Sequence, residues 1–374
     1  MSTDALIRIG EGREDPPDGL TWQQRLDRLR GELAALGSVV IAYSGGVDSS
    51  LLLRVAHEVL GSRALGVIGR SDSYAEQELR LALEQARGFG ARVEVVTTGE
   101  LRDPLFRSNP VHRCYHCKSE LYRKLGEVAQ RVGAAALLDG TIADDLRDWR
   151  PGRRAAAERH VRSPLAEIGF TKADVRAAAR SLGLESAGKP ASPCLASRIP
   201  YGVEITRENL KMVENAEAML RALGFQELRV RQHGETARIE VPVGEIARLL
   251  EPGVRERVVQ GLKGLGYRFV TVDLEGFRSG SLNVGVDREA ADPGADAPRR
   301  PSEAVSEKTG TCQIGAGILR SRPTEAAAQS AILAGIVVPG ARGTSFADGL
   351  GERRIRPRRS ASLHPPQRET RREA

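Results

Sequence analysis

The sequence predicts an α/β protein: a parallel sheet covered by helices on both faces, followed by a smaller C-terminal α+β domain. Three observations carry that reading. The stretch Ser38 to Gly61, SVVIAYSGGVDSSLLLRVAHEVLG, opens with the apolar or aromatic run Val39 to Tyr43, as in a strand buried on both faces. After a double glycine it passes into a helical pattern, with Leu51, Leu52, Val55, Ala56, Val59 and Leu60 at spacings of three and four. Short apolar strands then alternate with helix-length segments, the pattern of right-handed βαβ units. Beyond Tyr201 the order changes to helix, hairpin, helices and strand, which is the α+β part.

Taken in order, residues 1–18 are polar, rich in Pro and Gly, and expected to be disordered. The first domain is expected over 19–202. It begins with an amphipathic helix, Thr21 to Leu36, with Leu26, Leu29, Leu33 and Leu36 on one side. Strands are expected at Ala64 to Gly69, Arg92 to Thr97 and Ala134 to Asp139, with a helix at Ser73 to Phe89. In open parallel sheets ligands bind beyond the carboxyl ends of the strands, near a topological switch point. The glycine turn after Tyr43 and the turn Asp139-Gly140-Thr141 should both lie at that edge. Thr171 to Leu182 reads as a helix capped by Thr171. The second domain, 203–283, holds a helix at Thr206 to Leu223, a hairpin over Gln226 to Val243 turning at His233-Gly234-Glu235, helices at Val243 to Leu250 and Val254 to Leu265, and a strand at Tyr267 to Leu274. Residues 284–374 read as a disordered basic tail.

Composition excludes some classes. With 28% charged and 40% hydrophobic residues and no long apolar run, the 374-residue chain is not expected in a membrane; the island Ala331 to Val338 is too short to cross one. The first residues lack the apolar core of a signal peptide, so a cytoplasmic location is expected. The net charge is +7, but the stretch from Val284 onward holds 15 Lys/Arg against 11 Asp/Glu, so the body has an ordinary charge. No basic helix with interleaved aromatics appears, and no nucleic-acid partner is expected. Four cysteines do not make a disulfide scaffold in a chain this long; their spacing points to metal or redox chemistry.

Two motifs carry chemistry. In Ser44-Gly45-Gly46-Val47-Asp48-Ser49 the glycines permit a sharp turn and a close backbone approach to a ligand. The following helix start favours an anion. Ser44 and Ser49 add hydroxyl donors, and Asp48 can cap the helix or hold a metal ion. No Gly-Lys-Ser/Thr follows, so this is not the Walker loop. SGGVDSS resembles the pyrophosphate loop (PP-loop) of the ATP pyrophosphatase superfamily, whose members cleave ATP between the α and β phosphates; the bland alternative is a Gly-Gly turn with capping serines. In Arg113-Cys114-Tyr115-His116-Cys117-Lys118 the cysteines at i and i+3 can share a metal or cluster, or form a structural zinc half-site or redox pair. Cys194, in SPCLASR, is a third ligand or a small buried apolar residue. For zinc, His112 or His116 could complete the set. Cys312, in the tail, is assigned no role.

The strings SGGVDSS, NPVHRCYHCKSELY, DGTIADDLRDWRPGRRAA, SPLAEIGFTKADVR, KPASPCLASRIPYG and RFVTVDLEGFRSGSLN, in this order, resemble the LarE family from about Leu26 to Asn283. These are ATP-dependent sulfur transferases of the PP-loop superfamily that build the nickel-pincer nucleotide of lactate racemase. The resemblance implies that ATP adenylylates a carboxylate of pyridinium-3,5-biscarboxylic acid mononucleotide with release of pyrophosphate, and that sulfur then displaces AMP. By the same resemblance Ser44, Gly45, Gly46, Asp48, Ser49, Gly140 and Thr141 bind the nucleotide with Mg2+. Some members have one cysteine, matching Cys194, and give up its sulfur; others have three, matching Cys114, Cys117 and Cys194, and hold a [4Fe-4S] cluster. This sequence has all three, so a cluster-bound sulfide is expected, with sacrifice of Cys194 as the alternative. Ile142 departs from the polar residue expected after Gly-Thr.

In the second domain Arg229, Arg231 and His233 share one strand face, and paired arginines suit a phosphate. The resemblance suggests that Arg229 and Arg231 hold the substrate phosphate; the alternative is an exposed polar strand face. Glu217 and Glu240 could bind metal or be solvated. A sulfide donor and a homo-oligomeric assembly are also expected. Competing functions are a PP-loop tRNA thiolation enzyme, an amidating synthetase that would not need the cysteines, and a nucleotide sensor without turnover.

Overall fold

In the computed structural model, β1 (Val39–Ala42), β2 (Ala64–Arg70), β3 (Arg92–Thr97) and β4 (Ala136–Leu138) form one parallel sheet in the order β3-β2-β1-β4. The described residues are 19–147, 150–190, 192–278 and 282. The ends expected to be disordered, 1–18 and 284–374, and Cys312 lie outside them.

The chain steps outward from β1 to β3 and then returns to pair β4 on the other side of β1. The switch point therefore falls between β1 and β4, and the turns after these two strands meet there. Alternation along β1 sorts its side chains to two faces. Val39 and Ile41 join the helices Trp22–Leu36, Val47–Leu60 and Lys172–Ser181 in the largest core. Val40 packs with Leu65 and Val67 of β2 against Tyr122, Leu125 and Val128 of the helix Arg113–Val132. Leu51, Leu52 and Leu53 are fully buried, each contributing about 1.5–3 kcal/mol.

Threonines start three helices. Thr21, Thr171 and Thr206 each accept a hydrogen bond from the backbone N–H three residues on, and Gln24, Asp174 and Asn209 bond back to the cap backbone. The helix expected from Ser73 starts only at Glu76, because Tyr74 N–H closes a turn on Ser71 O and the Ser73 hydroxyl donates to the buried Glu100. The 20-residue helix Arg113–Val132, which carries the cysteine pair, is an element the sequence reading did not assign.

The second sheet has the order β5-β6-β7, with β5 (Arg229–His233) antiparallel and β7 (Phe269–Val272) parallel to β6 (Thr236–Glu240). His233 pairs with Thr236, leaving Gly234-Glu235 as a two-residue turn in which Gly234 has φ +58. The helices Arg207–Ala222, Val243–Leu250 and Pro252–Gly264 cover this sheet through Leu220, Leu249, Val258 and Leu262. Among the described residues no helix is long and apolar enough to cross a membrane.

A further small core, Phe106, Leu195, Ala196, Ile199, Ile205, Leu210 and Val213, joins the first sheet's periphery to the helix Arg207–Ala222. Cys117 and Cys194 pack against it. Its staple is Asn109, fully buried with φ +54, whose amide nitrogen donates to the carbonyls of Ile199, Pro200 and Val203 at 3.3, 2.8 and 3.1 Å. Ile205 N–H adds a bond to Arg107 O at 2.8 Å.

Candidate active site

The turn after β1 needs glycine first at Gly45. Its φ is +68, and a Cβ there would lie 2.5 Å from the Ala82 Cβ. Ser49 Oγ accepts from Ser44 N–H at 3.1 Å and donates to Gly46 O at 3.1 Å, with Ser44 Oγ also 3.1 Å away. Gly46 caps the helix without a side chain, so the helix start keeps donor groups for a ligand. Gly140 sits against that start: a Cβ there would lie 2.8 Å from Ser49 N. Asp139 shapes the second turn, accepting from Thr141 N–H at 3.1 Å, the Ser163 hydroxyl at 2.7 Å and the Tyr122 hydroxyl at 2.8 Å. Burial first, and then the Asp139 charge, push the Tyr122 phenol well above its ordinary range. The two turns thus form one edge.

Asp48 lies in the first turn of Val47–Leu60, and both its oxygens are 2.8 Å from the Lys172 ammonium. Asp144 accepts from Lys172 N–H at 2.6 Å, and Asp145 pairs with Arg150 at 2.7 Å. Burial, the largest influence, raises the Asp145 carboxyl, with Arg150 opposing it and the Asp48 charge adding to it. Ile142 is 2% exposed and belongs to the main core, while Asp145 accepts from its backbone N–H. An apolar residue after Gly140-Thr141 therefore anchors the turn from beneath.

Cys114 and Cys117 lie in the first two turns of Arg113–Val132, and Cys194 precedes the 3-10 turn Leu195–Arg198. All three are free thiols; Cys114 is exposed and the other two are half-buried. They lie near enough to act on one another electrostatically. Burial, then Glu100 and Cys194, push the Cys117 thiol well above 9.0. Desolvation and then Cys194 raise the Cys114 thiol as well. His116 Nδ1 is turned to Asp103 at 3.5 Å, and among the described residues no three His, Cys, Asp or Glu side chains, the cysteines included, are set to hold a metal ion.

Arg198 ties Cys194 to the second sheet. It donates to the Pro193 and Cys194 carbonyls at 2.7 and 3.1 Å and forks onto Glu217 at 2.7 and 3.0 Å. Glu217 is 1% exposed and also accepts from Arg221, so it is neither solvated nor open to a metal. Burial would raise its carboxyl, but Arg198 and Arg221 hold it below the ordinary range. Glu240 is likewise fully buried, with Arg231 donating to both its oxygens at 2.9 and 3.0 Å. Arg229 and Arg231 are 7% and 5% exposed, which corrects the picture of an exposed polar strand face. Arg229 stacks on Phe277 at 4.9 Å. Burial first, and then the neighbouring Arg198, push its guanidinium down to about 10.

One turn touches both halves of the site. The Tyr74 hydroxyl donates to Ser44 O at 2.8 Å, and Ser73 O accepts from Leu195 N–H at 2.8 Å. A cleft beside it is lined by Tyr74, Gln77, Cys194, Arg198 and Arg221. The glycine turn, a thiol and the arginine cluster therefore border one another. Sequence reasoning missed Lys172, Asn109, Arg198 and the turn at Ser73-Tyr74. Lys172 was within reach, as the cation in the first turn of a helix expected beside the sheet edge; the others depend on partners far along the chain.

No family model matches the chain. It is 45% identical over 261 residues to an uncharacterized protein of Synechocystis sp., covering 70% of this chain and 97% of that one. It is 42% identical over 252 residues to the pyridinium-3,5-bisthiocarboxylic acid mononucleotide synthase of Lactiplantibacillus plantarum, covering 67% and 91%. A more distant likeness, 29% over 204 residues, is to the glutamine-hydrolyzing GMP synthase of Aeropyrum pernix, covering 49% of this chain and 39% of that enzyme.

Proposed function

The chain belongs to the LarE family of the Lactiplantibacillus pyridinium-3,5-bisthiocarboxylic acid mononucleotide synthase, and on that premise we propose that it is an ATP-dependent sulfur transferase acting on pyridinium-3,5-biscarboxylic acid mononucleotide. The observation that carries this reading is the turn at Ser73-Tyr74, which bonds at once to the phosphate-type loop and to the segment bearing Cys194. An activating nucleotide and a sulfur centre have to share an acyl group, and a turn bonded to both segments supports that arrangement.

In the first step a substrate carboxylate oxygen attacks the α-phosphorus of ATP, and the bond to the bridging oxygen of the β-phosphate breaks. The loop N–H groups with Ser44 and Ser49 take up the charge of the departing pyrophosphate. Gly140 and Thr141 bound the nucleotide on the other side. Asp48 would hold Mg2+; both its oxygens already face a cation, the Lys172 ammonium, so the residue fits that role. In the second step a sulfur anion attacks the acyl carbon, a C–S bond forms, and AMP leaves. A carboxylate is a poor electrophile and the acyl-adenylate a good one, which is why the order cannot be reversed.

We propose that Cys114, Cys117 and Cys194 would hold a [4Fe-4S] cluster: all three donors are soft thiols, and Cys117 and Cys194 border an apolar core. With three protein ligands such a cluster would leave one iron open to an additional sulfide. Arg229 and Arg231 lie in one cluster with Arg198, Arg221, Glu217 and Glu240, and guanidiniums so placed would suit the substrate phosphate. The reading sets the enzyme in the cytoplasm, where free thiols persist. The exposed Val243, Leu250 and Leu274 support a homo-oligomer.

The test is pyrophosphate release by anaerobically purified protein. It should depend on the mononucleotide and be indifferent to tRNA and ammonia, with AMP the other product. Release that requires tRNA would favour tRNA thiolation, and ADP as the main product would defeat the reading.

A further inference from the structure

Arg113, the first residue of the helix Arg113–Val132, is 3% exposed, and its Nε and Nη1 groups are buried with no hydrogen-bond acceptor among the described residues. A guanidinium stays charged in any protein setting, so leaving two of its N–H groups buried and unpaired is costly. Tyr201 offsets part of that cost. The guanidinium carbon lies 4.7 Å from the ring centroid, and the Tyr201 hydroxyl bonds to the same side chain. No carboxylate pairs with Arg113 among the described residues. Its surroundings are the thiol joint instead: Cys114 follows it in the chain, and Cys114 and Cys194 both act on Tyr201. The start of a 20-residue helix adds its positive end at the same place, and His112 makes no side-chain cap there.

We propose that Arg113 binds the sulfur anion that is transferred, as the hydrosulfide held beside the three thiols before it attacks the activated carboxyl and as the thiocarboxylate afterwards. This inference rests on the sulfur-transfer reading given above. A buried site bordered by thiols and a tyrosine ring suits a singly charged, weakly hydrated anion better than a phosphate, and guanidinium is itself a weakly hydrated cation. The arginine cluster of the second sheet is the separate place for phosphate. In the step itself a sulfur lone pair forms the C–S bond while the carbonyl pair moves onto oxygen. That pair returns as AMP leaves with its electrons, and the S–H proton goes to water when the thiocarboxylic acid ionises. The charge brought by hydrosulfide rests on the tetrahedral oxygen and departs with AMP, and loss of the S–H proton restores one negative charge to the S–C–O group beside Arg113.

The experiment uses the full chain under anaerobic conditions and its variants Arg113→Gln and Arg113→Lys. Calorimetric titration with sodium hydrosulfide and, separately, sodium thiobenzoate probes the donor and product forms. Both anions should bind the unmodified chain, and Arg113→Gln should weaken them about 10–100-fold, the loss of a charge-assisted hydrogen bond. Arg113→Lys should fall between. Thiocarboxylate formation with ATP, mononucleotide and sulfide should drop in Arg113→Gln at least tenfold more than pyrophosphate release does. Binding of thiobenzoate alone would limit the site to the product, and binding of hydrosulfide alone to the donor; either keeps the assignment of Arg113. Unchanged affinity for both anions in Arg113→Gln, or equal losses in the two half-reactions, would overturn it. If Arg113→Gln does not fold, Arg113→Lys carries the same comparison. Should the unmodified chain release no pyrophosphate with the mononucleotide, the functional reading fails, while the titrations still judge the anion site.

Discussion

Gly45 and Gly46 look equivalent in the sequence, and the structure separates them. Gly45 has φ +68, and a Cβ there would stand 2.5 Å from Ala82 Cβ and 3.0 Å from its Cα. Gly46 has φ −75, and its nearest neighbour to a new Cβ is Ser44 Oγ at 3.5 Å, an ordinary contact. Gly45→Ala therefore adds left-handed strain of about 1–2 kcal/mol. Its overlap with a helix backbone that cannot retreat costs roughly another 1–2 kcal/mol. The expected loss is about 2–4 kcal/mol, a fall in Tm on the order of 5–12 °C. Gly46→Ala should cost less than about 0.5 kcal/mol. Urea unfolding of the two variants beside the unmodified chain measures both values. Equal losses, or a Gly45→Ala variant as stable as the parent, would refute the idea that backbone conformation and the contact with Ala82 fix this turn.

Other outcomes follow from single contacts. Asn109→Ala should destabilise by about 2–3 kcal/mol in the same urea assay, because three carbonyls lose their donor, and should lower cluster content after anaerobic reconstitution, measured as iron and sulfide per chain. Lys172→Met removes the ammonium from Asp48, so the Mg2+ concentration giving half-maximal pyrophosphate release should fall; a rise would mean that Lys172 does not occupy the cation position. Burial raises Cys117 well above 9.0, so its contribution to the stability of the cluster-free protein is fully present below that value and is lost as pH rises through the folded-state value. The urea midpoint should accordingly decline above about pH 9, and decline less in Cys117→Ala.

Much of the frame was legible because it is local. The apolar run Val39 to Tyr43, the Gly-Gly turn and the leucines after it identify β1 and its helix from neighbouring residues alone, and Thr171 announces its own capping box. The helix Arg113–Val132 was harder to see. Its first turn is polar, its cap His112 makes no side-chain bond, and Tyr122, Leu125 and Val128 place the apolar signal in its second half. Glu217 left a trace, since Leu210, Val213, Glu217 and Leu220 share one helix stripe and the carboxylate falls on its buried side. Nothing nearby in the chain says that Arg198 answers it. The same holds for Asn109, whose acceptors lie 90 or more residues away, and for Arg231, which bonds across to Ser197 O beside Cys194. Long-range polar pairing leaves no periodic signature.

The most direct measurement follows the sulfur. Reconstituted protein is given ATP, the mononucleotide and excess sulfide without oxygen, and AMP, thiocarboxylate and the mass of the intact chain are recorded over many equivalents of substrate. Repeated turnover is expected, with AMP and thiocarboxylate formed one for one and the protein mass unchanged. A single turnover with loss of about 34 Da, cysteine becoming dehydroalanine at Cys194, would show that the protein gives up its own sulfur and would contradict a three-thiol centre that is reloaded from outside.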